Sequence, residues 1–91
     1  MTNQNFHMRL VQTDDMCPEQ YDLLINEKKH GYLRLRNGHF QVTYPLSRGE
    51  VVYEAYTRGS GSFVETERSG YLNAGINACL SRYLKTTSAE A

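Results

Sequence analysis

The sequence predicts an α+β fold: a three- to four-stranded antiparallel sheet with a C-terminal helix and an N-terminal helix packed on one face. Three observations carry that expectation. Apolar and polar residues alternate strictly on both sides of Asn37-Gly38. An apolar stripe with helical spacing runs near the end of the chain. Ninety-one residues allow one domain, spanning 1–91, whose core is modest because a chain this short buries only about 60–65% of its unfolded surface.

His7 to Val11 reads as a short strand. Asp14 and Asp15 then offer N-caps, and Pro18 suits a first helical turn, so Glu19 to His30 reads as a helix stopped by Gly31. Acids gather at its start, and Lys28, Lys29 and His30 at its end, as the helix macrodipole prefers. Tyr21, Leu23 and Ile25 also alternate, which keeps a strand as the rival reading.

The hairpin is the clearest element. Asn-Gly supplies the two positive φ angles of a type I′ turn. A two-residue loop sets Arg36 opposite His39, Leu35 opposite Phe40, Arg34 opposite Gln41 and Leu33 opposite Val42. Leu33, Leu35, Phe40 and Val42 then share one face, and Tyr32, Arg34, Arg36, His39, Gln41 and Thr43 the other. Pro45 ends the second strand, and Ser47, Arg48 and Gly49 turn the chain. Glu50 to Arg58 reads as the next strand, with Val51, Tyr53 and Ala55 inward and Val52, Glu54, Tyr56 and Arg58 outward. Gly59 to Ser62 breaks it, and Ser62 to Glu67 reads as a short edge strand open to pairing with a second chain. Ser69 then caps a helix from Gly70 to Lys85. Its buried stripe is Leu72, Ile76, Cys79, Leu80 and Tyr83, and Ala74, Gly75 and Ala78 permit close approach to the sheet. The two polar ends, Met1 to Asn5 and Thr86 to Ala91, read as loose.

Composition narrows the function classes. Ten basic and ten acidic side chains cancel, with a pI near 6.8. No apolar run reaches membrane-spanning length, and no signal segment opens the chain, so a cytoplasmic protein is expected. Cys17 and Cys79 lack any CxxC or Cys/His companion, so neither a zinc site nor any other metal or cofactor is expected. A disulfide between Cys17 and Cys79 is the alternative, but two lone cysteines without a secretion signal suit a reducing compartment. No nucleophile elbow, HExxH, phosphate loop or dinucleotide fingerprint occurs, and His7, His30 and His39 fall in separate elements, so no catalytic residue is assigned. Gly59 to Ser62 resembles an anion nest, but the following helix starts too late for a phosphate loop.

Neutrality is a sum of opposed blocks. Residues 14–27 hold five acids and no Lys or Arg, whereas residues 28–49 hold Lys28, Lys29, Arg34, Arg36 and Arg48 and no acid. Seven tyrosines and seven arginines stand against three lysines and no tryptophan. Tyr and Arg concentrate at binding hot spots because each buries a flat surface while keeping polar bonds. The candidate partner-binding face is therefore Tyr32, Arg34, Arg36, His39, Gln41, Tyr56 and Arg58 on the open side of the sheet. A non-enzymatic protein-binding module is the first expectation. Nucleic-acid binding is the alternative: a sheet with alternate arginines followed by a packed helix resembles the arm-binding domains of phage integrases and, more loosely, a double-stranded-RNA-binding domain. Against it stand the zero net charge and a final helix without a basic start.

Over its whole length, the chain also resembles the small phage-encoded anti-CRISPR inhibitors, in being one compact α+β domain with an Arg/Tyr face and no catalytic motif. That resemblance implies an inhibitor that evades antiviral defence by docking on a host protein or ribonucleoprotein complex, such as a CRISPR–Cas effector. It assigns no individual residue.

Overall fold

A computed structural model describes residues 7–14 and 18–90, with side chains through residue 86. Five strands form one antiparallel sheet in simple meander order: β1 (Met8–Asp14), β2 (Glu19–Ile25), β3 (Lys28–Arg36), β4 (His39–Tyr44) and β5 (Glu50–Tyr56). Among the described residues one helix forms, α1 (Glu65–Glu90), and it lies across one face over β3, β4 and β5. The class is α+β as expected, with five strands rather than three or four and without the N-terminal helix.

The segment read as that helix is β2, a turn and the start of β3. Its alternation is what the fold uses: Tyr21, Leu23 and Ile25 are buried, while Gln20, Asp22 and Leu24 between them are half-exposed. The charges that suited a macrodipole meet across strands instead, with Lys29 Nζ 3.5 Å from Asp22. Asn26 and Glu27 take φ values of 53° and 67°, the left-handed pair that usually calls for Asn-Gly. Contacts from β1 take the place of the glycine. Arg9 grips the Glu27 carboxylate with Nη2 at 2.8 Å and Nε at 3.3 Å. Asn26 N–H donates to the His7 carbonyl at 2.7 Å, and His7 N–H donates to Asn26 Oδ1 at 3.1 Å. Asp14, proposed as a cap, ends β1, and Asp15 and Cys17 lie outside the described residues, as do Met1 to Asn5.

The β3–β4 hairpin has the expected register, from Arg36 opposite His39 to Leu33 opposite Val42. Leu33, Leu35, Phe40 and Val42 are completely buried. β5 ends at Tyr56 and carries a bulge: Val42 pairs with Tyr53 but Thr43 with Val51, leaving Val52 as the extra residue. The bulge reverses the expected phase at that end. Val51 turns out to solvent and Val52 packs against the core, while Tyr53 also packs inward and Tyr56 stands outward as expected.

No edge strand forms over Ser62 to Glu67. Phe63 turns inward, 5% exposed, with its ring 5.1 Å from Phe40 and stacked on Tyr71. The helix begins at Glu65, so Ser69 is internal, and it continues through the tail read as loose. Its start is fastened by Glu67, whose carboxylate accepts the Val64 N–H as the third-residue partner of a capping box does. The expected stripe faces the sheet: Cys79 is fully buried, and Leu72, Ile76, Leu80 and Tyr83 pack on the core. Two glycines set how closely the layers meet. A Cβ on Gly75 would lie 3.0 Å from Leu33 and Val42, and one on Gly31 would lie 2.6 Å from Cys79 Sγ. Burial pushes the Cys79 thiol up to about 11, so it stays protonated as a small core residue.

Candidate docking face

α1 leaves the opposite side of the sheet uncovered. The registers arrange that side in rows: Arg36, His39 and Tyr56; Gln20, Arg34, Gln41 and Glu54; Asp22, Tyr32, Thr43 and Val51. Tyr32, Arg34, Arg36, His39, Gln41 and Tyr56, all read from the sequence as partner-binding, therefore share one surface. Arg58 falls beyond β5 in the loop, where its backbone N–H donates to Glu67 at 3.0 Å. The β2 contribution, Gln20 and Asp22, is missing from the sequence reading because that segment was assigned to a helix.

Several members are held in place. The Tyr32 hydroxyl donates to Gln20 Oε1. His39 Nε2 donates to Glu54 Oε1 at 2.7 Å, which steadies the ring. The His39 ring stacks under Tyr56 with centroids 5.0 Å apart. Tyr56 is 80% exposed, an aromatic plate pre-positioned for contact. At the far end, a cleft of about 400 Å³ is lined by Thr13, Asp22, Lys29, Tyr32, Leu46 and Ser47.

The charge balance of the molecule becomes informative once partners are assigned. Every described carboxylate side chain is engaged. Glu19, 2% exposed, accepts Arg68 Nε at 2.8 Å, Phe63 N–H at 3.0 Å and the Tyr21 hydroxyl. Burial alone would raise its pKa, but those donors together hold the carboxyl below its ordinary value. Burial, together with the same contact, pushes the Tyr21 hydroxyl up to about 12. Glu27 meets Arg9, Glu50 meets Arg82, Glu65 meets Arg68, Asp22 meets Lys29, and Asp14 is also partnered. Arg34 and Arg36, in contrast, make no ion pair among the described residues. Two unmatched guanidinium groups thus stand on the middle strand of the open face of a chain whose net charge is zero.

The Gly59 to Ser62 loop is not a vacant nest. The Glu67 carboxylate takes the N–H groups of Arg58, Gly59 and Val64 at 2.8–3.0 Å, as an external anion would. These bonds keep its pKa low against the opposing effect of burial. Among the described residues, no group of three or more His, Cys, Asp or Glu side chains gathers as a metal site, and no helix is long and apolar enough to cross a membrane. Compared with protein-family models, with curated proteins and with solved structures, the chain matches none of them.

Proposed function

We propose that the chain is a non-enzymatic docking module that places the open face of its sheet on an acidic patch of a host protein or ribonucleoprotein complex and inhibits it. The observation that carries this reading is the pair of unmatched arginines, Arg34 and Arg36, flanked by Tyr32 and the stacked His39 and Tyr56. Guanidinium groups left without an internal carboxylate are available for forked bonds to a partner's carboxylate or phosphate groups. The aromatic plate beside them supplies the large rigid contact area typical of hot spots. The resemblance to anti-CRISPR inhibitors makes a CRISPR–Cas effector complex in the host cytoplasm the specific target of this proposal.

The same arrangement favours a second reading. Bases of a single strand stack on exposed aromatic rings while arginines follow the backbone, and Tyr56 with Arg34 and Arg36 offers both elements. Two free guanidinium groups would release few counterions, so such binding would be weak at physiological salt.

A pull-down from bacterial lysate, with and without nuclease, tests the proposal using the wild type and the Arg34→Glu/Arg36→Glu double variant. A protein or ribonucleoprotein retained by the wild type and lost by the variant supports docking. Capture that depends wholly on free nucleic acid supports the second reading. Equal capture by both chains removes this face from consideration.

A further inference from the structure

We infer that the chain forms a two-fold dimer through the uncovered edge of β5 and the flank of α1 beside it, the occupant of that edge being a second copy of the same chain. β5 pairs with β4, and among the described residues no strand covers its other side. An uncovered edge presents a row of backbone donors and acceptors to a second strand, and monomers ordinarily blunt or hide it. Two clefts separate this strand from the helix. One, of about 270 Å³, lies between Val51, Val52 and Ala78, Arg82; the other, of about 240 Å³, lies between Tyr53 and Gly70, Tyr71.

The flank of α1 is complementary to itself. Glu67, Gly70, Ala74, Ala78, Ser81 and Lys85 recur every three to four residues and so share one side of the helix. Reversed onto its own copy, that side sets Glu67 against Lys85, Gly70 against Ser81 and Ala74 against Ala78. Glu67, whose carboxylate already caps the backbone N–H groups of Arg58, Gly59 and Val64, brings its negative charge to a lysine at each end, and small side chains between them let two helices approach within about 8–10 Å. Lys85 makes no ion pair among the described residues, whereas the other basic residue of this helical turn, Arg82, is held by Glu50.

The contacts between helix and strand are compatible with the same axis. Arg82 meets Glu50 at one end of β5, and the Tyr71 hydroxyl donates to the Tyr56 carbonyl at the other. The midpoint of that span is Tyr53 on the strand and residues 76–77 on the helix, which is where the reversed helix flank is centred. One two-fold operation therefore pairs β5 antiparallel with its copy and brings the helix flanks together. Around Tyr53, Glu50 comes opposite Tyr56 with Arg58 and Glu54 on its two diagonals, and Val52 comes opposite Glu54, so no like charges stand directly opposite each other. Gly70 fits this role. A Cβ there would meet nothing within 4 Å, unlike one on Gly75, so packing inside one chain does not call for a glycine at this point of the helix.

Light scattering during size-exclusion chromatography of the full chain is the test. The wild type should elute at twice its 10.5 kDa mass. Gly70→Arg, which the open space around Gly70 accommodates in a single chain, should give single-chain mass with unchanged circular dichroism and melting. Gly70→Ala should remain a dimer. Lys85→Glu, an exposed change that keeps the fold even if the arginine does not, should weaken dimerisation by about tenfold at low salt. A wild type that stays at single-chain mass at every concentration would overturn the inference. So would a folded Gly70→Arg dimer, dimerisation unaffected by Lys85→Glu, or an open series of larger oligomers. Arg34 and Arg36 lie outside this contact, so its failure and the failure of the docking proposal are separate results.

Discussion

The two sides of the β3–β4 hairpin are built from the same backbone and differ by one residue of phase. On one, Leu33, Leu35, Phe40 and Val42 are wholly buried under a helix brought close by Gly75 and Gly31. On the other, Arg34 and Arg36 stand without an internal carboxylate, beside an almost fully exposed Tyr56. Identical strands and identical register thus support opposite requirements: the helix side needs matched volumes, and the open side keeps polar groups unmatched. The difference lies entirely in side chains, and a one-residue slip would exchange the two faces.

The largest effect expected from breaking the helix side is that of Phe40→Ala, which should lower stability by about 3–5 kcal/mol in urea unfolding, because the cavity would open between β4, Phe63 and Tyr71. A loss below about 1 kcal/mol would contradict the central place given to this ring. Next comes Glu19→Gln, which removes the buried charge facing Arg68; Arg68 keeps Glu65, so the loss should be about 1–2 kcal/mol.

That carboxyl also shapes the response to acid. Its folded-state pKa is held below the ordinary value of about 4.3, so its stabilisation is complete above that pH and is lost as pH falls through the folded value. His30, packed against Tyr44 and Tyr83, has its pKa lowered by burial and by Lys28. Below its ordinary value of about 6.5 the unfolded chain takes up the proton first, so stability falls from there. Melting temperature should therefore drop in two stages on acidification, and Glu19→Gln should shrink the lower stage, to which Glu27, Glu50 and Glu67 also contribute, while leaving the upper one unchanged. A single stage in the wild type would contradict the assignment.

On the open side the expected effects are small. Arg34→Glu with Arg36→Glu should change stability by less than about 1 kcal/mol, since neither side chain has an internal partner to lose among the described residues. A larger loss would show that the arginines serve the fold. Smallest is Glu27→Gly, which relieves the strained φ but gives up the Arg9 contact. The two effects should cancel to within a few tenths of a kcal/mol in urea unfolding. A clear gain would show that the turn, rather than its tie to β1, dominates.

The hairpin around Asn37-Gly38 was legible because its turn chemistry and alternation are local and agree with each other. The stripe of α1 was legible for the same reason. What escaped depends on residues far apart in the chain. The Asn26-Glu27 turn lacks glycine and is held by Arg9 and His7, so its own residues do not announce it. The helix start is capped locally by Glu67 on Val64, which is not a usual capping residue, and is held from a distance by Phe63 and Arg68 on Glu19, 49 positions away from Arg68. Five of the proposed face residues, Tyr32 through Gln41, follow directly from the hairpin, and Tyr56 adds the neighbouring strand. Gln20 and Asp22 were lost with the misread strand, and a bulge, which has no sequence marker here, reversed Val51 and Val52.

The meander order has a consequence for how the chain is made. Each strand pairs with the one just synthesised, so the sheet can assemble by short loop closures as it emerges, a topology associated with fast folding. The helix follows all five strands in the chain. Until α1 leaves the ribosome, the apolar side of a nearly finished sheet has no cover. A chain interrupted before Glu65 should therefore be a preferred substrate for chaperones and a source of aggregates, although it holds every strand of the fold.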